Sequence, residues 1–340
     1  MKGRAGLFFD AQAGHAQARV AEQGGHKVAR GQKFFQIVKA CAVLALAPKP
    51  VAQGQALGQA ELGQFYDLAS LTKVVGTASG IFKEMAAGKI SLKDRVGDFF
   101  PAACSAVTVK DLLLHTSGLP ADLDDVWQYQ SPGEVWEAVL ATKPLFLPGQ
   151  ESIYSDLNFI ILGKILEQVS GQDLSSFLRE EIFAPLGMRE TGFLLKGKRD
   201  NFVKTEITKE RGQVWGNVHD ETAWQMGGLA GHAGLFSTLD DLARFSSFYL
   251  TTASPLVAGL FDYDCFERTL AWIRWQKGRR FLWHSGFTGP GLGLDLENGR
   301  ALVILASSVY PKRGNEAWML ARRQAAKTFF GGGYREEKQE

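Results

Sequence analysis

Strand-like runs lie near the two ends of this chain and helical periodicity fills the space between them. That distribution constrains the fold more than any single motif. Near the start, Cys41-Ala42-Val43-Leu44-Ala45-Leu46-Ala47 is a continuous apolar run, followed by Pro48-Lys49-Pro50 and then by Val51 to Leu57, the pattern of a hairpin. A short helix is expected ahead of it, over about Gln32 to Ala40. Near the end, Phe281 to His284, Gly291 to Leu296 and Ala301 to Ala306 read as strands, with Glu297-Asn298-Gly299 as the turn between the last two. Asn315 to Phe330 has the spacing of a closing helix. Hairpins pair antiparallel, so the two ends predict one antiparallel sheet (about 31–75 and 235–330) in an α+β fold with flanking helices, beside a helix-rich insertion (about 76–234). The seam between them is the expected cleft. Residues 1–30 have little periodicity and receive no function, and 331–340 read as a mobile tail.

Within the insertion, a helix is expected from about Ser70 to Ala87, where Gly88 stops it. Asp94 to Pro101 reads as a surface turn. Thr108-Val109-Lys110-Asp111 resembles a capping box opening a short helix that ends at Thr116-Ser117-Gly118-Leu119-Pro120. Ile161, Leu162, Ile165, Leu166 and Val169 mark one amphipathic helix and Leu174 to Ile182 another, whereas 191–226 is polar and irregular; beyond the insertion, Leu239 to Leu250 is again helical.

Composition narrows the function classes. The formal charge of +2 comes from 38 basic and 36 acidic residues, too balanced for a nucleic-acid groove or an anionic membrane surface, which leaves a small molecule or peptide as the expected partner. Cys41, Cys104 and Cys265 are too scattered for a disulfide framework or a Cys-x-x-Cys site and read as buried thiols. No apolar run reaches the roughly 20 residues that span a bilayer. Met1 to Asp10 is too short a run for a secretory leader, and Phe34 to Ala47 is unsuited by position and by Lys39. A cytoplasmic protein is expected, or a periplasmic one if a leader precedes this sequence.

The chemistry concentrates in Asp67-Leu68-Ala69-Ser70-Leu71-Thr72-Lys73. Positions i and i+3 share a helix face, so the Lys73 ammonium can reach the Ser70 hydroxyl, the geometry of an activated serine. Three more stretches stand out. Tyr154-Ser155-Asp156-Leu157-Asn158-Phe159 precedes a helix, and its tyrosine, with an ordinary pKa of about 10, needs cationic neighbours to act as a base. His284-Ser285-Gly286-Phe287-Thr288-Gly289 ends a strand, where glycine permits close approach. Val218-His219-Asp220 leads into the glycine-rich Gly227 to Thr238, where His219 and His232 are expected to hydrogen-bond the glycine-rich backbone. His115, His219, Asp220, His232 and His284 could suggest a metallohydrolase, but no zinc-ligand spacing accompanies them.

In this order and spacing the set resembles the serine β-lactamase and penicillin-binding-protein superfamily, in particular its class C-like branch with D-alanyl-D-alanine carboxypeptidases, D-aminopeptidases and esterases. Phe65 to Lys73, Leu112 to Pro120, Tyr154 to Phe159, Gly227 to Thr238 and His284 to Gly289 carry the resemblance, over about residues 34–330. It implies a β-lactamase-like fold and a Ser70 acyl-enzyme, with Lys73 and Tyr154 sharing the proton traffic and either one as base. It also implies an oxyanion hole from the Ser70 and Phe287 N–H groups, with Asp156, His284, Ser285 and Gly286 lining the substrate and no cofactor or metal required.

Two departures from that pattern bear on the substrate. Asp156 stands where such β-lactamases usually have asparagine, placing a negative charge at the site unless it is paired. His284 replaces a lysine, exchanging a fixed cation for a group expected to titrate near pH 6.5. The expected function is therefore hydrolysis of an ester or amide, on a D-amino-acid or peptidoglycan-related peptide or a small ester. The alternatives are a weak β-lactamase or a non-catalytic protein binding penicillin or cell-wall fragments.

Overall fold

The computed structural model describes residues 40–46, 53–58, 63–197 and 199–332. Its centre is an antiparallel six-stranded sheet drawn from both parts of the chain. The strands are β1 (Ala40–Leu46), β2 (Gln53–Gly58), β3 (Ile273–Arg274), β4 (Phe281–Ser285), β5 (Gly291–Asp295) and β6 (Arg300–Ala306). They lie in the order β2-β1-β6-β5-β4-β3, so the early hairpin docks onto the last strand, with Val43 opposite Ile304.

Strands β4, β5 and β6 are buried on both faces, and the period-2 alternation of a strand sorts their side chains between two cores. In β6, Ala301, Val303 and Leu305 join the main core, while Leu302, Ile304 and Ala306 join a second core with Trp275, Phe281 and Trp283. Helix α5 (Glu316–Phe330), N-capped by Asn315, covers the second core through Trp318, Ala326 and Phe330. Helix α4 (Leu239–Thr251) covers the other face over β6, β1 and β5.

The helical half is built around helix α1 (71–86), which packs against helix α3 (Asp156–Ser170). Val74, Val75, Ala78, Ile81 and Phe82 bury its apolar stripe, and Gly88 follows it with φ of 73°. The helix widens into a π-turn over Lys73–Thr77, a feature concentrated at functional sites. Thr108 and Asp111 form the expected capping box of helix α2 (Val109–Leu114), which ends on His115 in the left-handed region (φ 57°).

Three expectations are corrected. Asp94 to Pro101 contains a helical turn, Val96–Phe99, made favourable by Asp98 bonding back to the Arg95 N–H. The 191–226 segment holds a small hairpin, Lys204–Thr208 with Gly212–Trp215, and a short helix, Glu221–Gln225; mixed side chains on a surface ribbon hide the alternation that marks a strand. Ala40 begins a strand and does not end a helix, while the rest of the expected helix over 32–40, the 1–30 extension and the tail beyond 332 lie outside the described residues. Cys104 is buried, Cys265 is half-buried and neither is in a disulfide. Among the described residues no helix is long and apolar enough to cross a membrane.

Candidate active site

Ser70 sits in the turn leading into α1, at the seam between sheet and helices. The residue before it is strained: Ala69 has φ of 45°, a region unfavourable for a side chain with a Cβ. Asp67 holds that turn. Its Oδ1 accepts the Ala69 N–H at 2.8 Å and its Oδ2 accepts the His219 N–H at 2.6 Å. The Thr288 hydroxyl donates to the Asp67 carbonyl at 2.9 Å, and the Leu68 N–H donates to Leu235 at 2.9 Å.

Lys73 is fully buried with its Nζ 3.0 Å from Ser70 Oγ, 3.1 Å from the His232 carbonyl and 2.6 Å from Asp156 Oδ1. Burial alone would depress its pKa, but Asp156 and Tyr154 outweigh burial and raise it above the ordinary lysine value. Lys73 is therefore an ammonium at neutral pH. The Tyr154 hydroxyl lies close enough to Lys73 and Ser70 to feel both. Its ring is surrounded by cations and an imidazole: Lys73 Nζ at 5.0 Å, the Arg268 guanidinium at 5.2 Å and His115 at 4.6 Å. Burial raises the Tyr154 pKa, and Lys73 only partly offsets that, so Tyr154 rests as a phenol.

The segment after α2 shapes the Tyr154 loop. His115 Nδ1 accepts the Ser155 N–H at 3.0 Å and the Asn158 amide at 3.2 Å, which places the ring hydrogen on Nε2. Ser117 donates to Asn158 at 2.6 Å, Ser155 to the Pro120 carbonyl at 2.6 Å and the Ile153 N–H to the His115 carbonyl at 3.0 Å. Burial, then Arg268 and Lys73, hold the His115 pKa well below the ordinary value. Tyr154 is thus fixed by a neutral histidine.

The glycine-rich segment forms the back of the site. A Cβ at Gly231 would lie 2.0 Å from the Phe159 carbonyl, so only glycine lets this strap lie against α3. Thr77 ties it to α1 by donating to the Gly231 carbonyl at 2.7 Å. His232 and His219 do not bond glycine-rich backbone through their rings, as expected from the sequence; each pairs with a carboxylate, the stronger acceptor for a buried imidazole. His232 Nε2 lies 2.8 Å from Asp220 Oδ1, and His219 Nε2 lies 2.8 Å from Glu206 Oε2. Burial opposes charge on both members of the first pair, yet their mutual attraction raises His232 and lowers Asp220.

Asp156, Asp220 and His232 converge so closely that one ligand atom from each lies within 4.8 Å of the others. The Lys73 ammonium already binds Asp156 and the His232 carbonyl there, so lysine supplies a cation to this acidic pocket.

The sheet side is different. His284 shares the face of Leu282 and is buried, its Nδ1 donating to the Ser285 carbonyl at 3.0 Å. Burial, then Lys73 and Arg268, push its pKa well below the ordinary value, which overturns the expected titration near pH 6.5. Ser285, also expected to line the substrate, alternates onto the α5 face. There it borders a cavity of about 140 Å³ with Trp283, Met319, Arg322 and Arg323. Gly286 presses on the nucleophile turn: a Cβ there would meet the Leu68 carbonyl at 2.5 Å and Ala69 Cβ at 3.2 Å. Phe287 follows in the same turn, and among the described residues neither the Ser70 nor the Phe287 amide finds a hydrogen-bond acceptor. The Phe287 ring is 57% exposed, stacked on His219 at 5.6 Å and capped by Arg313 at 5.4 Å.

A model of the beta-lactamase family matches residues 45–326, most of the chain and every motif just described. The chain belongs to the beta-lactamase family, a family of serine hydrolases. A curated relative from Escherichia coli O157:H7, "Putative D-alanyl-D-alanine carboxypeptidase", is 35% identical over 304 residues, covering 73% of this chain and 70% of the relative. A relative of the same description from Escherichia coli K12 is 35% identical over 218 residues, 54% of this chain, and the match spans half the relative's length (50%). The solved beta-lactamase/D-alanine carboxypeptidase of Pseudomonas syringae shares the fold, with 18% identity and a TM-score of 0.68 over 86% of this chain and 95% of its own.

Within this beta-lactamase-family site, sequence reading brought Ser70, Lys73, Tyr154, Asp156 and Gly286 to one place, and structure adds residues it gave no role. Asp67 stood inside the first motif and could have been singled out as a turn-forming aspartate. His115 lay in the Leu112 to Pro120 stretch without an assigned task. Glu206, Arg268 and Arg313 come from segments with no local pattern, and only the fold reveals them.

Proposed function

We propose that the protein hydrolyses an ester or amide bond through a Ser70 acyl-enzyme, with D-alanyl-type peptides or related peptidoglycan-derived compounds as the favoured substrate class. The observation that carries the reading is the buried Lys73 ammonium 3.0 Å from Ser70 Oγ, with the Tyr154 ring 5.0 Å from the same nitrogen. Ser70 attacks the carbonyl carbon, and the negative oxygen that forms is received by the Ser70 and Phe287 N–H groups. Lys73, beside the Tyr154 phenol, passes the proton from serine and returns it to the leaving group, and water releases the acyl group. The curated relatives' description supports the substrate class. Neutral His284 offers no fixed cation to a substrate carboxylate.

Intact-mass measurement with a fluorophosphonate, a penicillin and D-alanyl-D-alanine peptides tests the reading. Ser70 should carry the label, and Ser70→Ala should lower turnover of any accepted ester or peptide by at least about 10³-fold. An unlabelled Ser70 together with unchanged turnover in Ser70→Ala would falsify it.

A further inference from the structure

The three acceptors around Lys73 leave it unable to act as a base unaided. An ammonium has three N–H donors and no lone pair. Ser70 Oγ, the His232 carbonyl and Asp156 Oδ1 lie 3.0, 3.1 and 2.6 Å from its nitrogen. To take a proton from Ser70 it must give one up at the same time. Of its two other neighbours in that set, a peptide carbonyl is a very poor proton acceptor and a carboxylate is a good one. Tyr154 rests as a phenol and has no ready capacity for the proton either.

We propose that Asp156 is the terminal acceptor of the Ser70 proton, which reaches it through Lys73. The proposal rests on the Ser70 acyl-enzyme reading. In the step, the Ser70 O–H bond breaks and an Nζ–H bond forms while a different Nζ–H bond breaks and the proton joins Asp156 Oδ1. The Ser70 Oγ–carbon bond forms and the carbonyl π pair moves onto oxygen. Lys73 is an ammonium before and after; Asp156 ends neutral, and its negative charge has moved to the oxyanion. Reversal of the two proton transfers supplies the leaving group. Asp156 acts through Lys73 and is in this sense a positioning residue.

Its surroundings fit the role. Lys73 faces Asp156, Tyr154 and the His232 carbonyl, and also feels Asp220, His232, His115 and His284. Asp156 acts in turn on Tyr154, His232 and Asp122, and Arg268 closes the far side of the Tyr154 ring. The Asp220–His232 pair balances its own charge, so Asp156 is the carboxylate that answers Lys73 directly.

The test is the pH dependence of kcat/KM for a p-nitrophenyl ester in the wild type, Asp156→Asn and Asp156→Glu. In Asp156→Asn, Lys73 must itself lose a proton before it can serve as base. Activity at pH 7 should fall about 10²-fold or more, and the acidic limb should move up by at least one pH unit. Asp156→Glu should recover much of both. An acidic limb in Asp156→Asn that stays in place or moves down, or activity at pH 7 within about threefold of wild type, overturns the proposal, because Asp156 would then only hold Lys73 charged. A proton inventory on the wild type in mixed H₂O and D₂O, independent of any variant's folding, should be curved, with two protons in flight; a linear plot overturns it. Turnover surviving in Ser70→Ala would sink the acyl-enzyme reading, whereas a dead Ser70→Ala beside a normal Asp156→Asn sinks this proposal alone.

Discussion

On the helical side of the cleft, Lys73, Asp156, Asp220 and His232 are gathered in one network, each charge answered within 3 Å by an opposite one. The sheet side, across Ser70, offers His284 held neutral and the Phe287 main-chain amide, which has no acceptor among the described residues. The contrast teaches a division of labour. Mobile protons need ionisable groups at matched positions, whereas a transient oxyanion is served best by fixed dipoles that need no reorganisation.

That contrast can be broken from the sheet side first. Gly286→Ala places a methyl against the Leu68 carbonyl (2.5 Å) and Pro290 (2.7 Å), which must push the Phe287 amide away from Ser70. A loss of about 10² to 10³ in kcat is expected, the scale of a lost oxyanion donor, with the melting temperature reporting separately on folding. Activity within threefold of wild type would mean that this wall does not carry the charge.

A smaller effect concerns the network that joins the two walls. Burial alone would raise Glu206, but hydrogen bonds from Arg313 and His219 bring it down from about 4.5 to about 2. A depressed folded value gives stability that is present above about pH 4.5 and lost as pH falls through 2. Urea unfolding at pH 6 and pH 3 should show the wild type losing more stability than Glu206→Gln. Equal losses would disconnect this network from folding.

The smallest effect sharpens the neutral character of the sheet wall. If His284 is uncharged throughout the neutral range, kcat/KM profiles of the wild type and His284→Gln should have the same shape between pH 6 and 8. An inflection near pH 6.5 present only in the wild type would restore the titrating histidine.

The fold was legible where local signals agree with burial. The apolar hairpin at 41–57, the Asn-Gly turn at 298–299, the Thr108–Asp111 capping box and the α1 stripe all follow from periods and caps that act over a few residues. The Lys204–Trp215 hairpin was not legible, because its strands alternate burial imperfectly and contain a bulge. At the site, i,i+3 spacing predicted the meeting of Ser70 and Lys73. The pairing of Lys73 with Asp156, and of His219 and His232 with acids, depends on packing across 12 to 83 residues, which no local rule encodes. The neutral state of His284 follows from burial beside two cations, and one-dimensional reading supplies neither.

The order β2-β1-β6-β5-β4-β3 also has a consequence for biosynthesis. Strand β1 leaves the ribosome early, yet its partner β6 lies more than 250 residues later, and Gly286 must reach back to Leu68 to brace the turn before Ser70. Pairings so distant in sequence form slowly and late. A nascent chain can assemble the helical half with Ser70 and Lys73 in place, but the Gly286 wall arrives only when the sheet closes. Under the proposed mechanism, hydrolytic activity is a reporter of completed folding, switched on by the last strand to be made.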